Sequence, residues 1–69
     1  MISYKIIVED MKCRNCAKKI TDALIEAGAE AVDVKLARKE VYVDSDLPVE
    51  VLYETIRQAG YEPTDLELI

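Results

Sequence analysis

Along the first eight residues, polar and apolar side chains alternate. Ile2, Tyr4, Ile6 and Val8 share one face of an extended chain, and Ser3, Lys5 and Ile7 share the other. A period of two with β-branched residues predicts a half-buried strand. From Ala17 the period lengthens: Ala17, Ile20, Leu24 and Ala27 form one stripe of an amphipathic helix, with Thr21, Asp22 and Glu26 off it. Gly28 supplies the stop. Alternation returns at Val32, Val34 and Leu36, and again at Val41 and Val43; Ala37-Arg38-Lys39-Glu40 reads as the tight connection of a hairpin. Residues 44–48 open a second helix striped by Val49, Leu52, Ile56 and Ala59, with Pro48 suited to its first turn and Gly60 at its end. Pro63 blocks any helical continuation, and Thr64, Leu66 and Leu68 alternate with Asp65, Glu67 and Ile69 as a last strand.

The order β-α-β-β-α-β predicts an α+β fold of the ferredoxin-like kind: a four-stranded antiparallel sheet with both helices on one face. Sixty-nine residues suffice for one domain, residues 1–69, and no repeat or linker interrupts it. Each strand buries one face and wets the other. Ile7 and Ile69 interrupt the polar face, as scattered exposed apolar residues ordinarily do.

Composition narrows the class. Hydrophobic residues make up 51% and charged residues 33%, as in a soluble globular domain. No apolar run approaches a membrane span, and the first residues lack the pattern of a signal peptide. We therefore expect a cytoplasmic protein with no membrane insertion. The net charge of −5 argues against a nucleic-acid partner, which needs a basic footprint. The charge is uneven, however. Residues 11–21 hold Lys12, Arg14, Lys18 and Lys19 and no acid, a local +4 that leaves −9 on the remainder.

That basic stretch coincides with the two cysteines of the chain, in Met11-Lys12-Cys13-Arg14-Asn15-Cys16. The pattern puts Met11 to Asn15 in the first strand-to-helix loop and Cys16 in the first helical turn. Free N–H groups and the positive end of the helix dipole favour thiolates there, as do nearby cations. Two thiolates can clamp one soft ion or close one disulfide. In a reducing compartment the first reading leads. Structural zinc wants four protein ligands and iron–sulfur clusters usually four cysteines, whereas this chain offers two cysteines and no histidine. Soft thiolates at low coordination number suit Cu(I), and a two-ligand site leaves the ion open to an incoming thiol. A thiol–disulfide redox module is the enzymatic alternative. The chain is short for a thioredoxin fold, and neither Trp nor Pro flanks the pair.

The motif Met11-x-Cys13-x-x-Cys16 after a strand, within this element order and followed by Gly60-Tyr61, resembles the heavy-metal-associated domain of bacterial copper chaperones and of P-type ATPase tails. The resemblance covers essentially the whole chain. It implies Cu(I) held by Cys13 and Cys16, a buried supporting Met11, and Tyr61 beside the metal loop. There are two departures. Asp10 stands where the family usually has Gly, and a hard carboxylate there would suit Zn(II) or Cd(II) better than Cu(I). Arg14 and Asn15 stand where many bacterial members carry a histidine.

These observations lead us to expect a copper chaperone rather than an enzyme, one that passes Cu(I) transiently to the metal-binding domain of a copper-transporting P-type ATPase. The alternatives are an ATPase's own metal-binding domain, a Zn(II)- or Cd(II)-binding domain using Asp10, and a redox module. A start at Met1 and an end just past the last strand favour the free-standing chaperone. A Cu(I) shared between two Cys pairs would give a metal-bridged homodimer. The basic cluster is expected either to be a solvated helix face or to steer docking onto an acidic acceptor.

Overall fold

The computed structural model describes residues 2–69. Strand β1 (Ile2–Ile7) leads into helix α1 (Arg14–Ala27), strands β2 (Ala31–Lys35) and β3 (Glu40–Ser45), helix α2 (Val49–Gln58) and strand β4 (Asp65–Leu68). One antiparallel sheet has the order β2-β3-β1-β4, so the first and third strands are central. β1 runs against β3 from Ile2 opposite Ser45 to Ile7 opposite Glu40, and against β4 from Tyr4 opposite Leu68 to Ile7 opposite Asp65. This is the expected ferredoxin-like arrangement.

The period of two sets which face is buried. Tyr4, Ile6, Val8, Val41 and Val43 point to one side and are buried together with Ile20 and Leu24 of α1 and Leu52 and Ile56 of α2. Both helices therefore cover one face. The open face is polar: the Lys5 ammonium lies 3.1 Å from Glu67 and 3.8 Å from Glu40, and Ser3 donates to Asp44 at 2.6 Å. Two members of the inward set fall outside the core. Ile2 and Leu68 stay 44% and 67% exposed, Ile2 as the first residue of β1 and Leu68 as the last of the edge strand β4.

Several boundaries differ from the sequence pattern. Helix α1 starts at Arg14, so Arg14 and Asn15 are helical rather than looped. Leu36 leaves the second strand for a 3-10 turn over Leu36–Arg38, after which Lys39 takes the left-handed conformation at φ 58°. Thr64 lies before β4; its amide and hydroxyl both donate to the carbonyl of Ile7, at 2.8 and 3.2 Å. Pro48 stands immediately before α2, not within its first turn.

Both helices stop in the same way. Beyond α1, Gly28 adopts φ 115°, and beyond α2, Gly60 adopts φ 100°. The amides of Gly28 and Ala29 reach back to Ile25 and Leu24, and those of Gly60 and Tyr61 to Arg57 and Ile56. This paired bonding of the last carbonyls is the Schellman stop.

Candidate metal centre

The cysteines sit where β1 hands over to α1, on a loop held by two apolar pegs. Val8 and Met11 are wholly buried, while Glu9, Asp10, Lys12 and Cys13 face solvent. The Val8 amide donates to the carbonyl of Lys39 at 2.9 Å, and the Met11 amide to that of Val8 at 3.2 Å. Met11 is thus a core residue, its flexible thioether filling the space under the loop.

Cys13 caps the helix. Its backbone is extended (φ −146°, ψ 167°), its carbonyl accepts the Ala17 amide at 3.2 Å, and its sulfur accepts the Cys16 amide at 3.4 Å. Ser, Thr, Asp or Asn ordinarily fill this position. A sulfur cap leaves no familiar signature, which is why the sequence pattern starts the helix late. Both cysteines are free thiols, Cys13 exposed and Cys16 half-buried. Their sulfurs lie 2.9 Å apart, joined by a hydrogen bond in which either can be the donor.

Hydrogen bonding to sulfur makes Cys16 more acidic than an ordinary thiol. Its pKa is lowered from 9.0 to about 7, first by the bond with Cys13, then by the Tyr61 hydroxyl, then by the backbone amide of Lys12. The side-chain charges of Lys12, Arg14, Lys18 and Lys19, expected to contribute, are not among the causes. Tyr61 shows the reciprocal effect. Its hydroxyl is pushed up to about 12 by the bond to Cys16, by burial and by the negative charge of both sulfurs.

Asp10 does not join the pair. It is exposed, and among the described residues no three His, Cys, Asp or Glu side chains converge on one point. The basic residues lie on the loop and the first turns of α1, the segment that carries the cysteines. Lys12, Arg14, Lys18 and Lys19 are all exposed, and none forms an ion pair among the described residues. Arg14 in the first turn opposes the helix dipole, a cost of about 0.3–1 kcal/mol with no local compensation. The concavities on the helical face are lined by α1 and α2 residues such as Ala27, Val51 and Gln58 and include neither cysteine. With Cys13 exposed and Cys16 half-buried, the thiol pair lies at the surface.

Among the described residues, no helix is long and apolar enough to cross a membrane. The profile of the heavy-metal-associated domain matches residues 5–62, which include both cysteines and Tyr61. Mercuric reductase of Staphylococcus aureus is 38% identical over 66 residues, 94% of this chain and 12% of the reductase. Copper chaperone CopZ of Archaeoglobus fulgidus is 35% identical over 57 residues, 83% of this chain and 28% of that protein. The chain thus spans well under a third of either relative. A copper-binding domain from the P-type ATPase HMA7 superposes with a TM-score of 0.86 at 25% identity, covering 100% of this chain and 95% of that one. The fold, the thiol pair and the profile match agree, and the chain belongs to the heavy-metal-associated domain family.

Proposed function

We propose that residues 1–69 act as a single heavy-metal-associated domain in the cytoplasm, holding one Cu(I) between Cys13 and Cys16 and passing it to a metal-binding domain of a copper-transporting P-type ATPase. The observation that carries this reading is the pair of free thiols 2.9 Å apart at an exposed helix start, with no third His, Cys, Asp or Glu beside it. Two soft donors and no hard one suit a soft ion of low coordination number. The likeness to CopZ and to the HMA7 domain supports copper as the cargo and an ATPase as the acceptor.

Loading requires the sulfurs to part. Metal–thiolate bonds of about 2.3 Å, the zinc value, put the two sulfurs roughly 3.8 Å apart around a tetrahedral ion and roughly 4.6 Å apart around a linear one. Cys13, exposed and on the loop side, can swing outward without disturbing the core. Transfer then proceeds by exchange: an acceptor thiolate adds to the under-coordinated ion, and Cys13 or Cys16 leaves. The step moves no electrons and needs no catalyst. The four exposed cations on the loop and first turns of α1 orient an acidic acceptor, and two such domains meeting face to face would share the ion as a metal-bridged homodimer.

A second reading has its own support. Hg(II) is equally soft and takes two thiolates, and the mercuric reductase likeness extends over 94% of the chain. One experiment separates them. Cu(I)-loaded protein is mixed with the isolated metal-binding domain of a copper-transporting ATPase, the two are separated, and copper is assayed in each. Redistribution within the mixing time supports the chaperone reading. Copper that stays put, together with Hg(II) displacing it stoichiometrically, favours the mercury reading.

A further inference from the structure

The sheet ends in two edge strands, β2 and β4, and their charges differ in kind. An edge strand leaves the amide and carbonyl of alternate residues without a sheet partner, and an unguarded edge pairs with another chain. On β4 the exposed side chains of the open face are Asp65 and Glu67, both acidic. On β2, Ala31, Asp33 and Lys35 are exposed while Val32 and Val34 pack on the core. Asp33 and Lys35 carry opposite signs and lie 3.1 Å apart, with side chains 64% and 51% exposed. No proline interrupts the strand.

Two copies joined edge to edge in one sheet, helices on the same side, are related by a two-fold axis perpendicular to the sheet. Side chains of the same face then meet across the join. For β4 this sets acid against acid. Asp65 meets the partner's Glu67 when Leu66 lies on the axis, and Glu67 meets the partner's Glu67 when it lies there itself. Like charges directly opposite destabilise a strand pair, so β4 is guarded against its own copy. β2 is not. With Val34 on the axis, Asp33 faces the partner's Lys35 and Lys35 faces the partner's Asp33. Val34 faces the partner's Val34, and Val32 faces the partner's Leu36, all of them core-edge apolar residues. One register thus satisfies both faces of the strand at once.

We infer that β2 is a self-association edge, on which a second copy of this chain pairs antiparallel through Ala31–Lys35 with Val34 on the two-fold axis. The contact needs no metal. Lys35 lies beside Glu40, and Glu40 beside Ile7, so β2 ends at the side of the sheet where the cysteine loop begins. Antiparallel pairing therefore sends the two thiol pairs to opposite ends of the joined sheet and leaves each open. A metal-bridged dimer would instead bring them together. A strand of 5 residues on each side makes a contact well below the size of a stable interface, so the dimer is weak and forms at high protein concentration.

A charge-reversal series tests this. The reduced chain, with excess chelator to keep it metal-free, is followed by sedimentation equilibrium and amide chemical shifts from dilute solution into the millimolar range. The wild type should associate to a dimer, with concentration-dependent shifts centred on residues 31–35. Asp33→Lys and Lys35→Asp each place like charges opposite and should each weaken the dimer by about 10-fold. The double variant Asp33→Lys/Lys35→Asp restores unlike pairs and should dimerise like the wild type. Both positions are exposed, and either single variant carries the test if the other does not fold. A wild type that stays monomeric throughout, single reversals without effect, or a double variant as weak as the singles overturns the proposal. So do shifts centred on the cysteine loop, and shifts shared with β4, which would mean head-to-tail pairing.

Discussion

The sulfurs of Cys13 and Cys16 lie 2.9 Å apart, hydrogen-bonded across the junction where the loop gives way to α1. That bond is the first cause of the lowered Cys16 thiol and the Tyr61 hydroxyl the next, and the phenol is raised in return. Tyr61→Phe should therefore raise the Cys16 pKa from about 7 toward 9.0. Thiolate absorbance followed against pH measures it. An unmoved midpoint would show that Cys13 and the Lys12 amide account for the shift without the tyrosine.

The same shift makes stability depend on pH. Cys16 has a lower pKa folded, about 7, than its ordinary 9.0, so its thiolate favours the native state. The contribution is complete above about 9.0 and is lost as pH falls through about 7. Metal-free wild type should lose melting temperature across that window relative to Cys16→Ser, from which the shifted thiol is absent. Parallel curves would contradict the assignment. Ion uptake should weaken over the same range, because protons then compete for the sulfur.

Met11 is buried in the core, and in the proposed two-thiolate site it supports the loop without binding the ion. Met11→Ala should destabilise the domain by about 2–5 kcal/mol, and Met11→Leu by less than about 1.5 kcal/mol. Denaturant unfolding gives both values. The leucine variant should bind Cu(I) as the wild type does. A clear loss of affinity without loss of stability would mean the thioether binds the ion.

In the proposed transfer, the cations near the thiols in the chain act on encounter. Reversing Lys18 and Lys19 to Glu should slow transfer to an acidic acceptor at low ionic strength, and the difference should shrink as salt screens it. Affinity for the ion should stay the same. Stopped-flow transfer measured across a salt series decides this, and an unchanged rate at low salt would leave the cluster a solvated face.

Much of this was legible in the sequence because the two periods, two and three-to-four, change at distinct points. Tyr4, Ile6 and Val8 and the stripes Ile20–Leu24 and Leu52–Ile56 are where the pattern puts them. The pattern failed where a residue acts out of type. Cys13 caps a helix with sulfur, so Arg14 and Asn15 were assigned to the loop. Lys39 takes a left-handed turn without being Gly or Asn, so the β2–β3 connection opens one residue early, at Leu36. At the site, spacing alone could pair the cysteines, but the cause of the Cys16 shift could not be read that way. Cations near in sequence suggested charge, whereas the shift comes from hydrogen bonds, one of them from a residue 45 positions further along the chain.

The central claim is that Cys13 and Cys16 together hold one soft ion that no other side chain ligates. Competition of the reduced protein with a strong Cu(I) chelator tests it most directly. The account predicts one Cu(I) per chain, loss of binding when both cysteines are replaced by Ser, and no change in Asp10→Ala. Cu(I) retained by the Cys13→Ser/Cys16→Ser variant, or a preference for Zn(II) that disappears with Asp10, would contradict it.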